Sequence, residues 1–366
     1  MLKRCLLALV AVFIMTTAQI AAAADWNWST VTRVNNLTDL AKYIETERQA
    51  GKTVIPAILT EGLTVSGSDF LNLCPSSVVN QKIISNNGRE ICVEYTLMDY
   101  PGTKVANAYL SGSTLWLTPE EKQLYAEAVT IVNEANKNTT WIGRELYIYQ
   151  EIMKRSQYMN DDMSNGQERF TTAMGVLLDG KANCQGYADA FYMLGRMCGL
   201  NVGRMSGKAG GGGHQWNTIT FPDGKTYFVD VTWGDEAIKF GKDNSGKEYK
   251  YHDYKYFNAP VEIMQVTHSW DGALAPANLQ PSVDGRYGYS DILTQTKRFT
   301  SAEAGEKFLA QELSKNSWAA VMVPLDENYF KNVHSNMDRV LKNGNRSFRY
   351  SCSKYGKYLF IFVYPK

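Results

Sequence analysis

Two runs rich in β-branched and aromatic residues, His214–Phe221 and Lys225–Trp233, meet at Pro222-Asp223-Gly224. No other segment constrains the fold as tightly, because this one reads as a β-hairpin whose turn fixes its register. Pro222 and Asp223 suit the two type I positions of a three-residue connection, and Gly224 the left-handed bulge position after them. Phe221 then pairs with Lys225, Trp216 faces Asp230, and His214 faces Thr232. A two-residue loop at Asp223-Gly224 would place Asn217 opposite Asp230 and leave His214 on the other face. In the three-residue register His214 and Asp230 are diagonal neighbours on one face, within side-chain reach. The turn chemistry predicts a His–Asp dyad.

A cysteine upstream supplies what such a dyad could serve. In Asn183-Cys184-Gln185-Gly186-Tyr187-Ala188, Asn183 suits a helix N-cap, which sets Cys184 in the first turn. Ala188, Phe191 and Cys198 follow on the same side of the predicted helix. A helix N-terminus carries partial positive charge and unpaired N–H groups; both favour a thiolate, and the N–H groups can hold an oxyanion. On its own Cys184 would read as a buried core cysteine. With His214 and Asp230 in the same region it reads as a nucleophile, with His214 as proton acceptor and donor and Asp230 orienting the ring. The glycine-rich run Gly207–Gly213 is expected to be a flexible approach to the cleft or a hinge for His214.

Composition bounds the partners. The chain has 366 residues with 38 Lys+Arg against 37 Asp+Glu, which gives no basic footprint for nucleic acid. Met1-Leu2-Lys3-Arg4, an apolar run from Cys5 to Met15 and the alanines 21–24 have the layout of a signal peptide cleaved near Ala24. The run is too short to span a bilayer, and no later stretch is long and apolar enough. Export is therefore expected, to the periplasm, cell surface or medium. Loss of Lys3 and Arg4 leaves 36 basic against 37 acidic residues and five cysteines, so at least one thiol is free. A Cys74–Cys92 disulfide is one pairing the spacing allows.

Thr118, Pro119 and Glu121 mark a helix start with a capping box, and a second helix is predicted from about 142 to 158. The polar run 160–166 reads as a surface loop whose ligand spacing does not fit a calcium loop. The flanks look like copies of one another. In the first, residues 38–59 read as a helix carrying Leu40, Tyr43 and Ile44 and then the strand Val54–Leu59, followed by a helix and the strands Glu90–Met98 and Lys104–Leu110. In the second, residues 301–325 read as a helix carrying Phe308 and Leu309 and then the strand Ala319–Val323, followed by a helix and the strands Phe348–Ser353 and Tyr358–Tyr364. In this alignment Cys352 matches Cys92.

Around the three candidate residues the sequence resembles the transglutaminase-like superfamily, whose core is papain-like. The resemblance rests on Gly180–Ala188 around Cys184, on His214-Gln215-Trp216-Asn217, and on Val229-Asp230-Val231-Thr232-Trp233, in the family's order Cys, His, Asp. Tyr254–Asn258 and His268-Ser269-Trp270-Asp271 are similar to exported bacterial members. The resemblance covers about residues 118–272 and neither flank. It implies an α+β fold: a papain-like core of helices and antiparallel sheet, flanked by two small α+β modules. The expected division is a signal peptide at 1–24, a module at 25–115, the core at 116–272 and a module at 273–366.

The resemblance also implies thiol acyl-transfer chemistry through an acyl-enzyme on Cys184, acting on a protein or peptide amide. Hydrolysis by a cysteine peptidase or amidase is favoured over cross-linking, since water is the cheaper acceptor. The alternative is a cell-envelope or extracellular binding protein that keeps the fold without turnover and uses its flanks to hold an envelope ligand. In this family a side-chain oxyanion donor comes from upstream; Tyr149, Gln150 and Tyr158 are the candidates here. His268 reads either as a rim residue of the cleft in this family's style or as a packed loop histidine, with the structural role favoured. No cofactor and no metal is expected, because a zinc site from His214, Asp230, Cys184 and His268 lacks short-spaced ligand pairs.

Overall fold

A computed structural model describes residues 26–66, 69–159, 168–235, 238–242, 248–251, 254–282, 297–315, 319–341, 348–355 and 357–365. The predicted signal peptide and the 160–166 loop lie outside the described residues. No helix among the described residues is long and apolar enough to cross a membrane. The fold is α+β, with helices beside mixed and antiparallel sheets.

The chain opens with β1 (Arg33–Val34), α1 (Leu37–Gln49) and β2 (Val54–Thr60), then α2 (Asp69–Leu73), β3 (Ser77–Asn86) and β4 (Glu90–Asp99). These strands form one sheet in the order β1-β2-β4-β3, with β1 parallel to β2 and the other pairs antiparallel. The last part repeats the plan. After β13 (Lys297–Arg298), the helix Ala302–Leu313 leads to β14 (Ala319–Pro324); two helices, Glu327–Lys331 and Val333–Leu341, then precede β15 (Phe348–Tyr355) and β16 (Tyr358–Pro365). Their order is β13-β14-β16-β15, with the same parallel and antiparallel pairings.

The first flank departs from expectation in two ways. Lys104–Leu110 is not a strand but part of α3 (Pro101–Ser111), which starts with Pro101 in its first turn and ends on Gly112 in the left-handed conformation. Val105, Ala106 and Ala108 are buried along it. The missing strand is β3, so Cys352 on β15 has its counterpart on β3 and not in Cys92 on β4. The disulfide is not formed either: Cys74 and Cys92 are both free thiols. Cys74 is packed in the core of this flank, with its sulfur 3.8 Å from Glu45 Oε2.

The central part begins with α4 (Pro119–Ala135), whose Thr118–Glu121 capping box is present, and α5 (Trp141–Arg155), shorter than the helix expected to 158. The chain then forms β5 (Gln157–Tyr158), which pairs in parallel with β6 (Lys181–Ala182). Next come α6 (Cys184–Met197), β7 (Asn201–Ala209), β8 (Gly212–Thr220), β9 (Thr226–Val229), the short helix α7 (Val231–Gly234) and the antiparallel pair β10 (Ile238–Lys242) and β11 (Glu248–Tyr251). With β12 (His268–Ser269), β7, β8 and β9 make an antiparallel sheet in the order β12-β7-β8-β9. α6 is apolar on nearly every side, the pattern of a helix enclosed by its neighbours.

β14 and β16 bury both faces. Ala319, Val321, Val323, Leu359, Ile361 and Val363 pack under that unit's own helices. The alternate residues Ala320, Met322, Phe360 and Phe362 pack against Met205, Trp216 and Phe228 of the central sheet. The period-two alternation of a strand lets one sheet serve two cores.

One buried acid makes the central part pH-sensitive. Glu145 on α5 is fully buried and accepts a hydrogen bond from Asn258 Nδ2 at 3.2 Å, while its other oxygen has no partner. Burial pushes its carboxyl up to about 8, against the opposing effect of Asn258. The unfolded chain ionises this group near 4.5 and the folded chain holds the proton to about 8, so stability falls as pH rises through that window. Glu145→Gln is expected to match the parent at pH 5 and to exceed it at pH 9. The gain is on the order of 4–5 kcal/mol, from a shift of about 3.5 units at about 1.4 kcal/mol per pKa unit. Urea denaturation at the two pH values checks this, and equal differences at both would refute it.

Candidate active site

The hairpin has the three-residue register. β8 pairs with β9 through Asn217↔Val229, Thr218↔Phe228, Ile219↔Tyr227 and Thr220↔Thr226. Phe221 N–H donates to Lys225 O at 2.9 Å, Gly224 N–H donates to Phe221 O at 2.8 Å, and Gly224 is left-handed at φ +82. The second strand ends sooner than expected, at Val229. Asp230 becomes the N-cap of α7 instead of a ladder residue, so Thr232 does not face His214 in the sheet.

That cap fixes the Asp230 carboxylate. Oδ1 accepts the Trp233 N–H at 3.1 Å, which turns Oδ2 toward the His214 Nε2, 2.8 Å away. The Asp230 carbonyl accepts the Tyr149 hydroxyl at 3.4 Å, and its N–H donates to Tyr256 O at 2.9 Å. The His214 ring lies against Trp216, two residues on along β8, with centroids 5.9 Å apart and 27° between the planes. Trp233 meets it edge-on at 6.3 Å.

Cys184 stands where the cap residue predicts. Asn183 Oδ1 accepts the N–H groups of Gln185 and Gly186 at 3.0 and 3.3 Å, so Cys184 is the first residue of α6. Such a cap is worth about 0.5–2 kcal/mol. The Cys184 thiol is near enough to the His214 ring to help raise it, behind the larger effect of Asp230. The three candidate residues are therefore brought together, and each is buried: Cys184 7%, His214 5% and Asp230 1% exposed.

Electrostatics follow from this packing. Burial by itself would lower the His214 pKa. The Asp230 charge and hydrogen bond, helped by Cys184, more than offset it and raise the ring to about 10. Burial would raise Asp230, but His214 and then His268 hold it well below the usual carboxylate range.

His268 is where sequence reasoning fell short. It is not a bystander in a loop: its Nε2 lies 3.0 Å from the same Asp230 Oδ2 that His214 uses. It is buried, and its ring meets Trp216, Trp233 and Tyr256 at 5.2, 5.0 and 5.5 Å. The cause is β12, a two-residue strand pairing His268 with Ala209 across β7, too short to give a periodic signal. Trp216, by contrast, was findable, since residues two apart on a strand share a face.

The oxyanion candidates separate. Gln150 Nε2 donates to the Tyr254 hydroxyl at 2.7 Å, and Tyr149 is fully buried with its hydroxyl on the Asp230 carbonyl. Tyr158 is 46% exposed and sits opposite Ala182 in the β5–β6 pair, at the entrance to α6. Its phenol is raised first by burial and then by the charges of Cys184 and Asp230. As for metals, His214, Asp230 and His268 each bring one ligand-type atom within 4.8 Å of the others. The 2.8 and 3.0 Å separations are hydrogen bonds that already employ both Nε2 atoms and Oδ2.

Residues 127–231, which contain all three candidates, match the family model of the Transglutaminase-like superfamily. The kyphoscoliosis peptidase of Homo sapiens is 23% identical over 223 residues, and that of Mus musculus 22% identical over 223 residues. In both cases the match covers 52% of this chain and 33% of the relative, so this chain spans about a third of the length of these curated relatives. Two solved structures also align. One is a crystal structure of a TGase, at 14% identity and TM-score 0.29, covering 55% of this chain and 59% of that one. The other is the periplasmic domain of TgpA from Pseudomonas aeruginosa, at 12% identity and TM-score 0.25, covering 40% and 55%.

Proposed function

We propose, with residues 127–231 in the transglutaminase-like superfamily as the premise, that this chain is an exported thiol-dependent acyl-transfer enzyme acting on peptide or isopeptide amides. The favoured activity is that of a cysteine peptidase or amidase. The observation that carries this reading is the His214 ring, held between the Asp230 carboxylate and the Cys184 thiol at the tip of α6.

In this reading Cys184 Sγ, its proton passed to His214, attacks the amide carbonyl. The C–S bond forms, the C–N bond breaks, and His214 returns a proton to the leaving amine. Water then attacks the thioester, gives one proton to His214, and releases the acid and the Cys184 sulfur. Among the first-turn donors of α6, Asn183 occupies the N–H groups of Gln185, Gly186 and Tyr187. The Cys184 N–H is left for the oxyanion, with the Tyr158 hydroxyl at the entrance as the side-chain partner. Residues 25–115 and 273–366 are read as modules flanking a core at 116–272, available to shape substrate access or hold an envelope ligand.

A second reading, a non-catalytic binding protein, draws on the low exposure of Cys184. Iodoacetamide distinguishes the two. Fast labelling of Cys184 near neutral pH, lost in His214→Ala, is expected of the enzyme. Labelling no faster than a model thiol would favour the binding protein. Profiling a peptide library with and without an added amine, against Cys184→Ala, then separates hydrolysis from transfer.

A further inference from the structure

Asp230 Oδ2 receives two imidazoles. Near neutral pH Asp230 is a carboxylate and can only accept, so both His214 and His268 donate their Nε2–H to it, at 2.8 and 3.0 Å. On its far side the His268 Nδ1 lies 2.9 Å from Thr267 Oγ1, which is 3.0 Å from the Tyr256 hydroxyl. The ring is wedged among Trp216, Trp233 and Tyr256 and cannot readily turn away. β12 fixes its height, because Gly207 on β7 lets the Ser269 carbonyl approach: a Cβ there would stand 2.2 Å from that oxygen.

We propose that His268 is a positioning residue that shares the Asp230 carboxylate with His214 and so limits how tightly His214 holds its proton. A carboxylate oxygen that accepts a second N–H offers less negative charge to the first. A general acid must also release its proton to the leaving group, and it does so best when its pKa lies near the working pH. With Asp230 undivided, His214 would keep its proton too firmly for that step. The inference deepens the acyl-transfer reading and rests on it for its purpose, though not for its measurement.

The other ionisable groups around the cluster are few. Cys184 faces His214 from α6, Tyr158 faces Cys184 and Asp230 from β5, and Tyr149 meets the Asp230 carbonyl from α5. Tyr256 closes the chain behind Thr267. Asp235, at the end of α7, is occupied by the Tyr187 hydroxyl at 2.8 Å, and Asp271 is turned to the Thr38 hydroxyl. None of these donates to Asp230 Oδ2.

The test reads the His214 ring itself. The chain has four histidines, so ring-labelled protein gives assignable NMR titrations in the resting state. His268→Phe keeps a flat ring in the wedge and removes the donor; the His214 midpoint is expected to rise by about half a unit to one unit. His268→Gln restores an N–H toward Asp230 and is expected to return the midpoint to near the parent value. A midpoint that stays put or falls in His268→Phe overturns the proposal, as does failure of Gln to restore it. Should His268→Phe not fold, Thr267→Val, which frees the far side of the ring, is expected to move the midpoint up by less; no movement there overturns it equally. If the midpoint shifts as expected while Cys184 neither labels rapidly nor cleaves any peptide, the enzymatic reading falls and the shared carboxylate stands.

Discussion

His214→Ala is expected to slow acylation of Cys184 about 10²- to 10⁴-fold, the usual worth of a positioned general acid–base group. In the proposed mechanism two steps depend on this ring, removal of the thiol proton and protonation of the leaving amine. His268 is on the wrong side of Asp230 to take over, since its Nε2 meets Oδ2 and its Nδ1 faces Thr267. Asp230→Asn is a finer probe. The Asp230 charge is what raises His214 against the effect of burial, so without it burial prevails and the ring falls below its ordinary value. The alkaline limb of the rate profile, expected near pH 10 in the parent, is then expected to move below neutrality. An unchanged profile in Asp230→Asn would show that the carboxylate does not govern His214, and the acyl-transfer mechanism would need another proton carrier. Single-turnover rates on a fluorogenic peptide amide, across pH, measure both.

Arg204→Met is expected to destabilise the central part by about 3–5 kcal/mol, the cost of leaving a buried charge without its partner. Asp189 on α6 and Arg204 on β7 form an ion pair with side chains 0% and 1% exposed. Asp189 Oδ2 also accepts the N–H groups of Gly102 and Ala173 at 3.1 and 2.9 Å. The Arg204 guanidinium donates to Thr103 Oγ1 at 3.0 Å and lies 3.7 Å over the Tyr192 ring. One pair of charges thus joins α3, α6 and the central sheet. Met fills the stem of Arg204 but leaves the carboxylate with two backbone donors and no cation. Asp189→Asn in the same chain removes that stranded charge and is expected to recover part of the loss, keeping an acceptor for Gly102 and Ala173. Urea denaturation of the single and double variants measures the coupling; a loss below about 1 kcal/mol for Arg204→Met would mean that the pair is solvated or dispensable.

The sequence of this chain carried its local decisions. Pro222-Asp223-Gly224 set a hairpin register because only certain residues tolerate those backbone angles; the register carries the chain back to Asp230 beside β8, and the cap on α7 aims its carboxylate at His214. Asn183 set the start of α6, and with it the place of Cys184, because a cap is made between residues two or three apart. Lys104–Leu110 reads as a strand because a short apolar run satisfies either period; Pro101 and Gly112 are the start and stop signals of the helix that forms there instead.

What tertiary structure decided were the long-range pairings. His268 reaches Asp230 only through a two-residue strand laid across β7, and Asp189 meets Arg204 only because α6 packs on the sheet. Nothing local in the chain favours these contacts. They exist because burying the apolar faces brings the elements together, and once water is excluded each buried charge or N–H must find a partner among whatever residues arrive with it.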